Sequence, residues 1–139
     1  AADVINDIIE TFPNLHFSLH ICGGNAHRKR GYFGKYDEMI DGLKKLKVHE
    51  LHLEHCTLHY NMLDVFEKYN FDGLLSFGVI DQRTDELESV ETVHERIKPV
   101  IERFGSEKII LSSECGFGHV PLDITRAKLS RLVEAAEKY

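Results

Sequence analysis

Segments with the spacing of a helix and segments with the alternation of a strand follow one another along the whole chain. This exchange of periods is what most narrows the possible folds. Asp3–Thr11 carries Val4, Ile5, Ile8 and Ile9 at helical spacing and is closed by Pro13 and Asn14. Leu15–Cys22 alternates as a strand does, up to the break at Gly23-Gly24-Asn25. Tyr36–Leu46 returns to helical spacing through Met39, Ile40, Leu43 and Leu46. Glu50–Glu54 reads as a short strand, Asn61–Tyr69 as a helix and Gly73–Ile80 as an apolar strand. Val90–Phe104 is the most regular helix, with Val93, Ile97, Val100, Ile101 and Phe104 in register and Pro99 as a predicted kink. Lys108–Ser112 is a fourth strand, and Asp123–Lys138 a closing helix with Asp123 as its expected N-cap.

The order is therefore a helix and then four βα units, which argues for a parallel sheet with helices packed on it. Two architectures fit: a small open sheet covered on both faces, or half of an eight-stranded barrel whose full length is about 250 residues. Periodicity does not choose between them. With 139 residues and no linker or low-complexity stretch, residues 1–139 are expected to form one domain.

The net charge of −6 gives no reason to expect nucleic acid, and Arg28-Lys29-Arg30 is too small a cluster for a phosphate-backbone footprint. No apolar run approaches the roughly 20 residues of a membrane helix, and the start lacks the pattern of a signal peptide. Cys22, Cys56 and Cys115 are an odd set, far apart in sequence. That reads as a reducing cytoplasm in which thiols serve metals or chemistry rather than a disulfide scaffold. The chain begins without methionine, in a segment that reads as a helix already under way, so a piece of a longer protein is expected.

In parallel α/β folds the functional residues sit at the C-terminal ends of strands. Here those ends read His20-Ile21-Cys22, Glu54-His55-Cys56, Gly78-Val79-Ile80-Asp81 and Glu114-Cys115-Gly116. Residues i and i+2 of a strand share a face, so His20 and Cys22 can aim at one ion while Ile21 packs the other way. Leu51 and Leu53 share one face of the second strand; His52, Glu54 and Cys56 share the other. Glu54 then joins His20 and Cys22 if the two strands are neighbours, and Cys115 completes a set of His20, Cys22, Glu54 and Cys115. Imidazole, thiolate and carboxylate suit tetrahedral zinc, and the cysteines argue against magnesium or calcium. A carboxylate is the most easily displaced of these ligands, which would let an incoming thiol take its place and lose its proton to the cation's field.

Plainer readings stand beside this one. Cys115 next to glycine can be a small buried residue. Glu54 can pair with an arginine, and Cys56 rivals it as a ligand from the same face. His52, His55 and His59 read as surface or supporting groups, and His27 and His119 as exposed loop histidines beside glycine turns. Arg28-Lys29-Arg30 reads as a solvated loop. Ser112 and Ser113 show no base nearby in sequence, which argues against a serine hydrolase. Gly23-Gly24 lacks the Lys and Ser/Thr of a phosphate loop.

At these residues the chain resembles the C-terminal catalytic barrel of cobalamin-independent methionine synthase and its shorter bacterial relatives, which include epoxyalkane–coenzyme M transferases. The resemblance is carried by His20-Ile21-Cys22-Gly23-Gly24-Asn25, Leu53-Glu54, Phe77-Gly78-Val79-Ile80-Asp81 and Ser113-Glu114-Cys115-Gly116-Phe117, in this order from about Leu15 to His119. The run after Cys22 and the acidic stretch Asp85–Arg96 look more like the shorter relatives.

The resemblance implies the C-terminal half of a (βα)8 TIM-type barrel and a zinc-dependent methyl or alkyl transferase of methionine biosynthesis. It also implies zinc held by His20, Cys22, Glu54 and Cys115, a homocysteine-type thiol as acceptor, a methylated folate as donor, and Asp81 in a motif that shapes the site. The family's upstream strands, with part of the donor site, are not among these residues. A homodimer in which two half-barrels close one ring is one expectation. A metal-binding fragment without turnover, and a zinc lyase or hydrolase, are the alternative functions.

Overall fold

The structure is a computed structural model that describes residues 2–32, 34–58 and 61–139; His59, read above as a supporting histidine, lies outside them. Helix α1 (Ala2–Thr11) leads into strand β1 (Ser18–Ile21). A small antiparallel hairpin follows, β2 (Asn25–Ala26) and β3 (Lys29–Arg30), and then the short helix α2 (Ile40–Leu43). The remaining elements are β4 (Glu50–Glu54), α3 (Met62–Tyr69), β5 (Leu74–Ile80), α4 (Val90–Phe104), β6 (Ile109–Ser113) and α5 (Leu122–Ala136).

The main sheet has the order β1-β4-β5-β6, all parallel. Each strand thus lies beside the strand that precedes it among the four. A doubly wound sheet would reverse its order at a switch point; a barrel adds strands in one direction, as here. The architecture left open by periodicity is therefore the partial barrel.

Register explains the two faces. Leu19 pairs with Leu51, Leu51 with Leu75, and Leu75 with Ile109; one step on, Ile21, Leu53, Phe77 and Leu111 form a second row. Leu51, Leu53, Phe77 and Val79 are fully buried there, against Val93, Ile97 and Val100 of α4 and Phe66 of α3. The i, i+4, i+7 spacing of Val93, Ile97 and Val100 gives α4 its single apolar stripe. Ser89 caps it by accepting the Thr92 amide at 3.1 Å, and the helix runs unbroken through Pro99 to Gly105.

Three expectations need correction. The helix expected over Tyr36–Leu46 is a 3-10 turn, Tyr36–Glu38, followed by the four residues of α2. Gly42 lies inside that span, where glycine costs about 1 kcal/mol relative to alanine, and Tyr36 is drawn under the sheet instead. Asp123 is not the N-cap of α5: the helix starts at Leu122 with Pro121 before it, and Asp123 sits in the first turn, where its charge suits the helix dipole. The stretch after Gly24, read as a solvated loop, is the β2–β3 hairpin, turned by His27 and Arg28 at φ 48° and 64°. Paired positive φ is the geometry of a tight two-residue hairpin turn, for which Asn-Gly is the usual sequence signal; His27-Arg28 hides it.

Candidate metal centre

His20 and Cys22 leave the C-terminal end of β1, and Cys115 follows β6 at the far edge of the sheet. Their donor atoms nevertheless all lie within 4.8 Å of one another. The Cys115 and Cys22 sulfurs are 3.9 Å apart, and both thiols are free. Two thiolates held ~2.3 Å from one tetrahedral ion lie roughly 3.8 Å apart, so the spacing fits zinc.

The electrostatics suit a ligand set. Burial lowers the pKa of His20, and neighbouring His52 lowers it further against an opposing pull from Glu54. The imidazole is therefore kept neutral, with a lone pair to offer. Burial raises the Cys115 thiol; the Gly116 amide opposes that, the nearby Cys22 sulfur adds to it, and Asn25 opposes it again. A cation at this point would reverse the balance for both sulfurs, since coordination favours thiolate.

Glu54 reaches the same end of the sheet because β1 and β4 are neighbours, with His20 beside His52 in register. It is fully buried but is not one of the three converging donors. Its Oε2 accepts the Gly23 amide at 2.9 Å and faces Arg30 Nη2 at 2.8 Å; its Oε1 accepts Asn25 Nδ2 at 2.5 Å. Its backbone is pinned as well: the Glu54 amide donates to the Tyr36 hydroxyl at 2.8 Å, and that hydroxyl donates to Ile21 O at 2.9 Å. Tyr36 thus ties the ends of β1 and β4 together.

Cys56 also stays outside the three-donor set. Burial pushes its thiol up, and the Glu114 carboxylate adds to the shift. Glu114 itself is fully buried. It accepts the amides of His55 at 3.1 Å and Thr57 at 2.7 Å as well as the Thr57 hydroxyl, and lies 3.7 Å from Arg83. It clamps the loop after β4 beside the site. Gly78 makes room for it: a Cβ there would fall 2.4 Å from the Glu114 Cα. Asp81 accepts the Arg83 amide at 2.8 Å, and its own amide donates to Glu88 at 2.9 Å, so it shapes the β5–α4 turn.

One reading of the loops changes. Arg28 and Arg30 are engaged rather than solvated. Arg28 Nε donates to His119 O at 2.9 Å, and Arg28 pairs with Asp85 at 2.7 Å, which docks the hairpin onto the loop after β6. His27 and His119 are exposed, as expected, with ring centroids 4.6 Å apart. Ser112, which shows no base nearby in sequence, has His52 Nε2 2.9 Å from its hydroxyl. That nitrogen also lies 2.9 Å from Ser113 O, a carbonyl that only accepts, so it carries the proton and cannot serve as a base for Ser112. The argument against a serine hydrolase holds for this different reason.

Sequence reasoning missed Arg30, Asn25 and Glu114 as parts of the site. A cleft of about 650 Å³ lies at the opposite end of the strands around His16, Lys47, His49 and Lys108. None of the described helices is long and apolar enough to cross a membrane.

Residues 14–138 match the family described as cobalamin-independent synthase, catalytic domain. The chain is 31% identical over 134 residues to a methionine synthase of Sulfolobus acidocaldarius, covering 96% of this chain and 36% of that protein. It is 25% identical over 135 residues to a methionine synthase of Saccharolobus solfataricus, covering 97% and 37%. The chain thus spans about a third of the length of the curated relatives it matches. Among solved structures it superposes on a B12-independent methionine synthase from Shewanella sp. W3-18-1, in complex with selenomethionine, with a TM-score of 0.78. Identity there is 22%, over 98% of this chain and 45% of that one. With the strand order above, this likeness identifies the fold as part of a TIM-type barrel. The chain therefore belongs to an enzyme family, that of the cobalamin-independent synthase catalytic domains.

Proposed function

We propose that this chain is part of a methionine synthase-type methyltransferase, in which His20, Cys22 and Cys115 hold zinc and Glu54 stands beside them as an exchangeable carboxylate. The observation that carries the reading is the convergence of one imidazole and two sulfurs within 4.8 Å at the strand ends of a family catalytic domain. When bound, zinc supplies a Lewis acid that keeps a substrate thiol deprotonated and nucleophilic near neutral pH. His20 contributes a neutral donor, held so by burial. Cys22 and Cys115 contribute the negative charge that leaves a bound thiolate electron-rich. Tyr36 fixes the two strand ends on which these groups ride.

The acceptor in this reading is a homocysteine-type thiol and the donor a methylated folate, with methionine biosynthesis as the setting; the relatives' printed name, methionine synthase, supports that choice. The three free cysteines support a reducing, cytoplasmic location. Strands β1 and β6 each have one unpaired edge among the described residues, and a homodimer pairing there would extend the barrel. A monomer in light scattering at micromolar concentration removes the dimer proposal.

Titrating homocysteine into the zinc-loaded protein tests the function. Release of about one proton per chain, with alkylation of the thiol by a methyl donor, is the expected result. A zinc-dependent hydrolase would show no thiol response, because its zinc activates water. A metal-binding piece without turnover would bind thiol and release the proton without alkylation.

A further inference from the structure

We infer that His27 and His119 form a second metal site at the rim of the sheet, one that takes a divalent ion of the nickel and copper class and staples the β2–β3 hairpin to the loop after β6. It lies apart from the cluster of His20, Cys22 and Cys115 and does not rest on the reading of that cluster.

The two imidazoles come from separate turns that both follow strand ends. His27 is at the tip of the hairpin, and His119 lies in the turn that the Val120 amide closes on Phe117 O at 2.9 Å. Both side chains are exposed, with ring centres 4.6 Å apart and planes tilted by 33°. An ion about 2.1 Å from one nitrogen of each ring sits about 3.2 Å from each ring centre, so centres 4.6 Å apart subtend roughly 90° at it. That is the cis angle of square-planar and octahedral ions, and imidazole donors suit copper and nickel among these. Among the described residues no hydrogen bond engages either ring, so each keeps a lone pair to offer. The pair His16–His49, with centres 5.2 Å apart, lacks this freedom. There His49 Nδ1 accepts the Phe17 amide at 3.0 Å, and His16 Nε2 lies 3.3 Å from Glu50.

The two turns are held before any ion arrives. Arg28 Nε donates to His119 O at 2.9 Å, and Arg28 pairs with Asp85 at 2.7 Å. Asp85 also offsets the guanidinium charge that would otherwise repel a cation beside it. His27 and Arg28 stand at φ 48° and 64°, where Asn-Gly is the usual sequence. Non-glycine residues kept in that region gather at functional sites, and here the departure exposes an imidazole beside His119. Ligands placed in advance give up little freedom on binding. The hairpin also carries Asn25, which bonds Glu54, and the other loop follows Cys115. An ion between His27 and His119 would therefore fasten together the two loops that flank the cluster.

The test is a nickel titration of the whole chain at neutral pH, after one equivalent of zinc has been supplied, followed by NMR of the histidine rings. Nickel is paramagnetic and broadens the signals nearest to it. The rings of His27 and His119 should broaden together, ahead of those of His16 and His49. His27→Asn keeps a residue that tolerates positive φ. It and His119→Asn should each weaken nickel binding by at least the roughly 10–100-fold typical of lost outer partners in metal sites. With nickel at about 100 times its Kd, exchange of the hairpin amides should slow by up to roughly 100-fold in wild type, because opening must release the ion. In neither variant should it slow. Equal broadening of all exposed histidines would mean scattered binding to single imidazoles and would overturn the inference. So would a His27→Asn or His119→Asn protein that binds nickel as wild type does. Broadening led by His20, with His27 and His119 unchanged, would put the ion at the cluster and overturn it as well.

Discussion

The two faces of the four-stranded sheet share one backbone and have little else in common. On the helix side Leu51, Leu53, Phe77 and Val79 are fully buried. On the other side the same strands present His20, His52, Ser76 and Ser112, joined by contacts such as Ser76 to Ser112 at 3.2 Å and the His20–His52 ring pair. Leu53 and Glu54 are neighbours in sequence, yet one packs against helices and the other faces Arg30. The period of two in a strand is what separates them. Stability should therefore reside on one face, while the three converging donors lie at the end of the other, and substitutions can be sorted by which they touch.

The largest effect is expected on the apolar face. Phe77→Ala removes a fully buried ring from between the sheet and Phe104, and should cost about 3–5 kcal/mol in urea unfolding. A loss under about 1 kcal/mol would break the comparison, because the row would then not be packed as described. Lys128→Ala comes next. Lys128 is fully buried and donates to Glu88 at 2.6 Å, so its removal leaves a carboxylate with Arg96 as its one cationic partner among the described residues. About 3 kcal/mol is expected, the low end for breaking a buried pair, because Arg96 remains.

Acid should expose the same pair more gently. Burial alone would raise the Glu88 pKa, but hydrogen bonds from Lys128, the Asp81 amide and Arg96 outweigh it and hold it below the usual carboxylate value. The stability this contributes is present above the unfolded pKa of about 4.3, and is lost as pH falls through the lower folded value. Urea midpoints measured from pH 7 downward should fall in that window for wild type and fall less for Glu88→Gln; equal slopes would remove Glu88 from the account. On the polar face, Ser112→Ala should cost no more than about 1 kcal/mol, since His52 keeps its bond to Ser113 O. Asp123→Asn, which touches only the first turn of α5, should stay within about 0.5 kcal/mol.

Legibility in the sequence followed the same division. β4 and α4 have the ends that their periodicity indicates, because one carries strict alternation and the other a single apolar stripe between a serine cap and a glycine. The convergence of His20, Cys22 and Cys115 was legible too, once strand ends were taken as functional ends. The hairpin was not, since His27-Arg28 lacks the residues that usually mark such a turn. That Glu54 pairs with an arginine was among the plainer readings, but not which arginine. Arg28 reaches a carbonyl 91 residues away, and Arg30 reaches a strand end across the hairpin; neither contact leaves a local pattern. Glu114 hid beside Cys115, because a single carboxylate has no period of its own.

The central claim is that one ion belongs between His20, Cys22 and Cys115, and metal content by mass spectrometry tests it most directly. Wild type, Cys22→Ser and Cys115→Ser would be purified without added metal. About one zinc per chain in wild type, lost from both variants while their urea midpoints stay close to wild type, is the result expected for a four-coordinate site of this kind. No zinc in wild type, or equal zinc in all three proteins, would contradict it.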